Sequence, residues 1–375
     1  MNFDFSDDQK MLKEQARKFL SEKCTPAEVR RILEGEAPYH AALWSQIAEM
    51  GWLGTAIPEA YGGLGLGYLE LCVIAEEMGR SLAPVPFAST VYLFAETLLV
   101  AGSEAQKQAI LPKVAEGAVI GAFGAAEGTG PLSPRLLTAS FKAGKLDGRK
   151  IPVADGLIAT HAIVLARTSD DASPGAFTLA LVDLNGPGVT REAVRTIDPT
   201  RNHAVITFAG APAEAVGATG EGFAIMERVF DRAAILFAFE QVGGADACLA
   251  MAKDYATNRF AFGRQIGSFQ AIKHKLADMY VQNELARSNA YFGAWALSTD
   301  ATELPEAAAG ARISASEAFV FAGHENIQTH GGMGYTWQLD CHLYFRRARL
   351  LAAALGSPRV WKEKLVARLE MRNAA

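Results

Sequence analysis

The sequence predicts an α+β fold made of three successive parts: a helical part, an antiparallel β part and a second helical part. Two changes in hydrophobic spacing support this prediction. At about Val119 helical spacing gives way to short alternating runs, and near Gly222 long helical patterns return. We therefore predict an N-terminal α-helical domain at 1–118, a central antiparallel β-domain at 119–213 and a C-terminal α-helical domain at 220–375.

The first domain is predicted to be helical because its apolar residues recur every three or four positions. Leu43, Trp44 and Ile47 follow this spacing. Ser6 precedes the first such pattern, and serine is a favoured residue at a helix N-cap. We therefore expect the first helix to begin directly after Ser6.

The central domain is predicted from three alternating runs, "HAIVLART", "FTLALVDL" and "HAVITFAG". Clusters such as "SDDASPG" and "LNGPG" separate stretches of this kind, and their residues favour turns. In the last domain, helical spacing extends from Phe223 to Asn258 and from Glu306 to His330, with alanine-rich faces suited to close packing.

Composition argues against several functional classes. The 375 residues are half hydrophobic and carry a formal net charge of −5, without the basic stripe that nucleic-acid binding requires. The four cysteines are far apart and form no CxxC pair, which predicts neither a disulfide framework nor a thiolate zinc site. The chain starts without an apolar segment, and its most apolar runs are short or interrupted by charge. We therefore expect no signal peptide, no membrane span and a cytoplasmic location.

A metal site is also not expected. His324 and His330, in "HENIQTH", lie six residues apart. At 100° per residue this is about 240° around a helix, so the two imidazoles cannot share a metal from one face.

The segment "THGGMGY" raises a more specific question, because it holds three glycines in seven positions. Gly331 and Gly332 have no Cβ, so their N–H groups could approach a phosphate closely, and Gln328 could add an amide. The alternative is a plain turn that uses glycine for its backbone conformation.

A second candidate is Arg259 in "RFAFGRQIGSFQ", which follows a predicted helix. It could reach an anion, or it could be an ordinary surface arginine.

Three long segments together resemble the acyl-CoA dehydrogenase family. They are "IPEAYGGLGLGYLELCVIAEEMGRSLAPVPF", "NRFAFGRQIGSFQAIKHKLADM" and "QTHGGMGYTWQLDCHLYFRRARLL", in the family's order. The resemblance implies a C-terminal four-helix bundle, FAD as cofactor and an acyl-CoA thioester as substrate. It also implies a homo- or heterotetramer and an electron-transferring flavoprotein as acceptor. By the same resemblance, the residues that contact FAD would be Arg259, Phe262, Gln270, Gln328, Gly331 and Gly332.

The catalytic base departs from the family pattern. Where many members have glutamate after the Gly-Gly loop, this chain has Leu355, and at the second known position, 26 residues before Arg259, it has Ala233. Glu240 is a candidate base, since it lies on the same helix face as Ala233, about 10 Å further along the axis. Apolar neighbours would raise its pKa, as a base requires. The alternative is a buried structural glutamate paired to an arginine.

Two further departures concern side chains that in the family contact flavin or charged groups. A tryptophan and two hydroxyl-bearing residues of the family's flavin-facing segments are replaced by Pro152, Ala154 and Ala126. The arginines of "FRRAR", at 346, 347 and 349, could bind CoA phosphates, but we expect them to pair with acids at a subunit interface.

Three functions are therefore open at this point. The first is an FAD-dependent acyl-CoA dehydrogenase that forms a 2,3-enoyl-CoA from an unusual acyl group, such as a steroid, branched or aromatic one. The second is a non-catalytic or half-site subunit of a heterotetramer. The third is a binding protein that keeps the fold without redox chemistry.

Overall fold

The computed structural model describes residues 5–130, 132–171 and 173–374, and within them the chain forms eleven α-helices and nine strands. The helices are α1 (Asp7–Lys23), α2 (Pro26–Leu33), α3 (Ala41–Glu49), α4 (Tyr68–Arg80), α5 (Glu96–Ala101), α6 (Glu104–Ala115), α7 (Gly222–Asn258), α8 (Gln270–Ser298), α9 (Leu304–His330), α10 (Cys341–Ala353) and α11 (Pro358–Ala374). The strands are β1 (Gly121–Gly124), β2 (Ser140–Lys142), β3 (Lys145–Ala154), β4 (His161–Arg167), β5 (Phe177–Asp183), β6 (Val189–Val194), β7 (His203–Val216), β8 (Phe260–Ala261) and β9 (Arg264–Gln265). The predicted order of helical, β and helical parts is confirmed.

The chain divides into two compact units. Unit 1 consists of Met1–Arg30, Tyr68–Ala83 and Ala234–Ala375, and unit 2 consists of Arg31–Gly67 and Pro84–Ala233. Each unit draws on segments that are distant in sequence. The division at 1–118, 119–213 and 220–375 stays a prediction about domains along the chain.

Unit 2 contains a seven-stranded sheet whose pairings close into a ring. The strand order is β1, β4, β2, β3, β7, β5, with β6 paired to β7 and β5 paired back to β4. Most pairs are antiparallel, as expected, but β1 pairs with β4 in parallel register, with Gly121 opposite His161. A closed ring leaves few strand edges exposed.

In unit 1, α4 lies very close to the part of α7 that begins at Ala234. A Cβ on Gly79 would lie 1.8 Å from the carbonyl oxygen of Glu240, and one on Gly243 would lie 1.9 Å from that of Glu76. Only glycine permits this contact between the two helix backbones. Elsewhere in unit 1, α9 packs against α8, α10 and α11.

The helix limits agree with the residue types that favour helix ends. Ser6 is the N-cap of α1 and forms a capping box with Gln9, as the sequence indicates. The long helix that was expected to begin at Phe223 begins one residue earlier and ends at Asn258.

Among the described helices, α7 alone is long and apolar enough to cross a membrane, yet 78% of its most apolar window is buried within the fold. Core packing accounts for that apolarity.

Candidate functional site

The two segments that the sequence singles out for FAD lie together in unit 1. The ring of Tyr255, in the last turn of α7, lies 4.1 Å from the ring of His330 at the end of α9, measured between centroids. Arg259 follows α7 directly, and its N–H donates to the carbonyl of Tyr255 at 2.8 Å. Gly331 follows His330. The contact between the two rings therefore brings the Arg259 segment and the glycine loop to the same end of the helices.

Each glycine of the loop Gly331–Tyr335, a short 3-10 helix, has a different environment. Gly331 has a φ of 58°, a conformation that favours glycine. Gly334 is buried, and a Cβ there would lie 2.4 Å from the carbonyl oxygen of Ile327. Gly332 has neither constraint, since a Cβ would meet no atom within 4 Å. The turn conformation explains why glycine stands at position 331, and close packing explains why it stands at position 334. Neither reason applies to Gly332.

The segment after α7 is a small hairpin formed by β8 and β9. Its turn residues, Phe262 and Gly263, have φ values of 52° and 77°, the pattern of a two-residue hairpin turn. The two short strands were not expected from the sequence. Phe262 is 94% exposed, and its ring lies nearly perpendicular to the Phe269 ring, with centroids 6.2 Å apart.

The polar groups at this end of unit 1 remain available to a ligand. Among the described residues, the Arg259 guanidinium has no ion-pair partner. Gln270, the first residue of α8, and Gln328, in the last turn of α9, are both exposed. These groups suit a flavin dinucleotide. The guanidinium and the open glycine backbone can bind its phosphates, the two amides can add hydrogen bonds, and the exposed aromatic ring can stack on its ring systems. These residues fit FAD, and their individual roles remain predictions.

Glu240 has a different environment, because it is buried and paired. Its Oε1 lies 3.5 Å from Nη1 of Arg347, with the two side chains 4% and 1% exposed. Burial lowers the pKa of Arg312 to about 9, and the charge of Glu240 opposes that shift. Glu240 thus interacts with two buried arginines. This geometry is that of a structural carboxylate, and the role of Glu240 as a base stays a prediction.

Arg347 corrects our expectation for the arginine group. It is fully buried, and its Nη2 also donates to the carbonyl of Leu82 at 3.3 Å. Arg347 pairs with an acid of its own chain, so it is not a surface residue that a subunit interface could use. The sequence did not reveal this, because the pair joins positions 107 residues apart.

Arg312 is a second buried arginine that sequence reasoning missed. One side of its guanidinium donates to Gln241 of α7, and the other donates to the carbonyls of Leu351 and Ala354. It thereby holds the end of α10, directly before Leu355, whose φ is 58°. The available signal in the sequence was an arginine within the alanine-rich pattern from Glu306 to His330.

In unit 2, the half-buried Glu127 pairs with the buried Lys150, with Oε1 and Nζ 2.8 Å apart. Burial lowers the pKa of Lys150 to about 8, and Glu127 opposes this shift. The pair links the segment of Ala126 to the strand that carries Pro152, where the N–H of Ile151 also donates to Ala126 at 2.9 Å. The two segments that depart from the family pattern therefore lie side by side. Backbone contacts join them even though the family's side chains are replaced.

Metal chemistry has no support in the described part of the chain. None of its groups of His, Cys, Asp and Glu could hold a metal ion.

Comparison with known proteins agrees with the fold and the fit to FAD. Residues 6–118 match the family model "Acyl-CoA dehydrogenase, N-terminal domain", and residues 220–369 match "Acyl-CoA dehydrogenase, C-terminal domain". The chain is 34% identical to acyl-CoA dehydrogenase IpdE2 of Mycobacterium tuberculosis, over 94% of either chain.

Two solved structures extend the likeness. Butyryl-CoA dehydrogenase from Megasphaera elsdenii superposes with a TM-score of 0.90 at 27% identity, over 98% of this chain and all of that one. A variant of the steroid ACAD Tcur3481-Tcur3483 gives 0.89 at 30% identity over 98% of this chain and 99% of that one. The chain therefore belongs to the acyl-CoA dehydrogenase family of FAD-dependent oxidoreductases.

Proposed function

We propose that this chain is an acyl-CoA dehydrogenase that forms a 2,3-enoyl-CoA by α-proton abstraction and β-hydride transfer to flavin, acting on an unusual, ring-bearing or branched acyl group. The observation that carries the proposal is the adjacency of the Arg259 segment and the glycine loop, where Arg259, Gly331 and Gly332 are exposed. Similarity to a steroid ACAD supports the bulky acyl group.

The residues of this chain bind and orient the cofactor. Arg259 would pair with the pyrophosphate, and the N–H groups at Gly331 and Gly332 would donate hydrogen bonds to it. Phe262 offers an exposed ring for stacking, and Gln270 and Gln328 supply amide hydrogen bonds. FAD, when bound, accepts the hydride.

An electron-transferring flavoprotein is the electron acceptor that we propose, and we propose a homo- or heterotetrameric assembly in the cytoplasm. The acceptor and the tetrameric assembly follow from the family. A structure described as an electron transferring flavoprotein of Acidaminococcus fermentans shares this fold, with a TM-score of 0.91 at 28% identity.

A second candidate function is a half-site or non-catalytic subunit of a heterotetramer, in which a sister chain supplies the base. One specific observation favours it: Arg347 engages Glu240, and a leucine stands at position 355. The two names in Tcur3481-Tcur3483 are consistent with a protein of two different chains.

The visible spectrum of the purified protein, followed by anaerobic titration with acyl-CoA thioesters, tests these functions. The panel should run from butyryl-CoA to ring-bearing thioesters. Bound flavin that bleaches with a bulky thioester supports the first function, and bleaching by butyryl-CoA alone would refute the unusual acyl group. Flavin that bleaches only after a sister chain is added supports the half-site function. Protein that binds no added FAD would contradict both.

Arg259→Gln tests the cofactor site directly. We expect FAD affinity to fall about tenfold or more, because a charged hydrogen bond to phosphate is lost. The matched control is Arg359→Gln, which removes an exposed arginine that pairs with Glu363 on α11. Equal FAD affinity in the two variants would remove Arg259 from the site.

A further inference from the structure

Unit 1 contains a solvent-open cavity of about 290 Å³ beside the C-terminal end of α4. It lies next to the close contact between α4 and α7 at Gly79 and Gly243. Beyond that contact α4 ends at Arg80, while α7 continues past Met251. The space left along α7 is walled by α1, α2 and α10. None of the residues that we assign to FAD lines this cavity, and neither does Glu240.

The backbone acceptors at the end of α4 already have partners. The hydroxyl of Tyr344 donates to the carbonyl of Arg80 at 2.9 Å. The thiol of Cys24 donates to the carbonyl of Ser81 at 3.4 Å, and Arg347 donates to that of Leu82. These carbonyls therefore have little remaining capacity for a ligand's donors.

The charges around the cavity leave one cation without an acid. Arg17 forms a bidentate pair with Glu77, with N–O distances of 2.7 and 3.0 Å. Asp340 is paired with Arg30, which lies outside the lining. Arg80 is half-buried and has no ion-pair partner among the described residues. Among the described residues that line the cavity, Arg80 is thus the cation that has no ion-pair partner.

The remaining surface is apolar. Val29, Leu343 and Met251 contribute aliphatic walls from three different helices. Burial raises the pKa of Cys24 to about 12, so its thiol stays protonated and unreactive at neutral pH. Cys24 therefore does not give the cavity a reactive thiolate.

We propose that this cavity binds a small organic carboxylate with an apolar body, held by Arg80 and the aliphatic walls. A planar carboxylate matches one guanidinium in bidentate geometry, and the adjacent Ser81 hydroxyl can donate a further hydrogen bond. A phosphate dianion would bring two charges to a site with one free cation. The volume lies near the lower limit of small-molecule pockets, which favours a compact ligand. This site goes beyond the proposed acyl-CoA reaction.

Isothermal titration calorimetry of the flavin-loaded protein tests the proposal. The probes are benzoate and cyclohexanecarboxylate, with benzamide as the neutral match for benzoate and inorganic phosphate as the competing anion. We expect saturable binding of at least one carboxylate, with a Kd of about 1 mM or tighter. Benzamide and phosphate should bind at least about tenfold more weakly.

Two variants locate the site. Arg80→Gln should weaken carboxylate binding about tenfold, whereas Arg359→Gln on α11 should leave it unchanged. If Arg80→Gln fails to fold, Ala250→Leu serves instead, because this exposed position lines the cavity and a larger side chain fills it. Absence of saturable binding, equal binding of benzamide or phosphate, or full binding by the folded cavity variant would each overturn the proposal.

Discussion

Replacing Glu240 with glutamine separates the two interpretations of this residue. If Glu240 is a structural carboxylate, the change leaves Arg347 as a buried cation without its partner charge, and the free energy of unfolding falls. If Glu240 is mainly a base, the change removes substrate-dependent flavin bleaching and alters stability little.

The magnitude follows from the geometry of the pair. Two unit charges 3.5 Å apart attract by about 5 kcal/mol at an effective dielectric constant of about 20. Glutamine keeps a hydrogen-bonding oxygen, and Arg347 keeps its bond to Leu82. We therefore expect a loss of about 2–4 kcal/mol, below the full effect of breaking a buried pair.

Urea unfolding of wild type, Glu240→Gln, Arg347→Met and the double variant measures this loss and the coupling between the two residues. The double variant should be more stable than the sum of the single losses predicts. The control is Glu317→Gln, which breaks an exposed pair with Lys362 and should cost less than about 1 kcal/mol. A loss below about 0.5 kcal/mol for Glu240→Gln, without coupling to Arg347, would refute the structural interpretation.

Three other predictions test the fold. Gly79→Ala should destabilise the protein by at least about 3 kcal/mol in urea unfolding, because its Cβ would overlap the carbonyl oxygen of Glu240; a loss under about 1 kcal/mol would contradict the close helix contact. The carboxyl of Glu76 is buried, which alone would raise its pKa, but Arg287 and a lysine lower the pKa below 4.5. The Glu76 carboxylate therefore stabilises the fold fully above pH 4.5, and this stabilisation is lost as the pH falls. Glu76→Gln should reduce the slope of the free energy of unfolding against pH on the acid side, and an unchanged slope would contradict this. Ser6→Ala should cost about 1 kcal/mol by thermal or urea unfolding, as loss of a capping box does, and no loss would show that the first turn is held by other contacts.

The sequence predicts the long elements of this fold well because local rules determine them. Helical spacing from Phe223 to Asn258 corresponds to α7, and the cap type at Ser6 gives the start of α1. The hairpin of β8 and β9 was missed because strands of two residues are too short to alternate. Local sequence patterns therefore predict the order of the helices and strands. The shortest strand pairings can be identified only in the folded chain.

The site shows the same limit more sharply. From sequence, the environment of Glu240 could be inferred only from its own helix, since no local signal points to Arg347. The exposed glycine loop and Arg259 were found through motifs. Their adjacency depends on a ring contact between Tyr255 and His330, which are 75 positions apart in the sequence. Motifs thus identified candidate residues, and packing determines which of them meet.

The closed strand ring of unit 2 has a consequence for synthesis of the chain on the ribosome. The last of its strands, β7, pairs with β3, β5 and β6. Until Val216 has left the exit tunnel, those three strands have no β7 to pair with, and their edges and apolar faces remain open to other chains. Release of a nascent chain before that residue should therefore yield an aggregation-prone intermediate, whereas a nascent chain that has emerged past it can complete the ring.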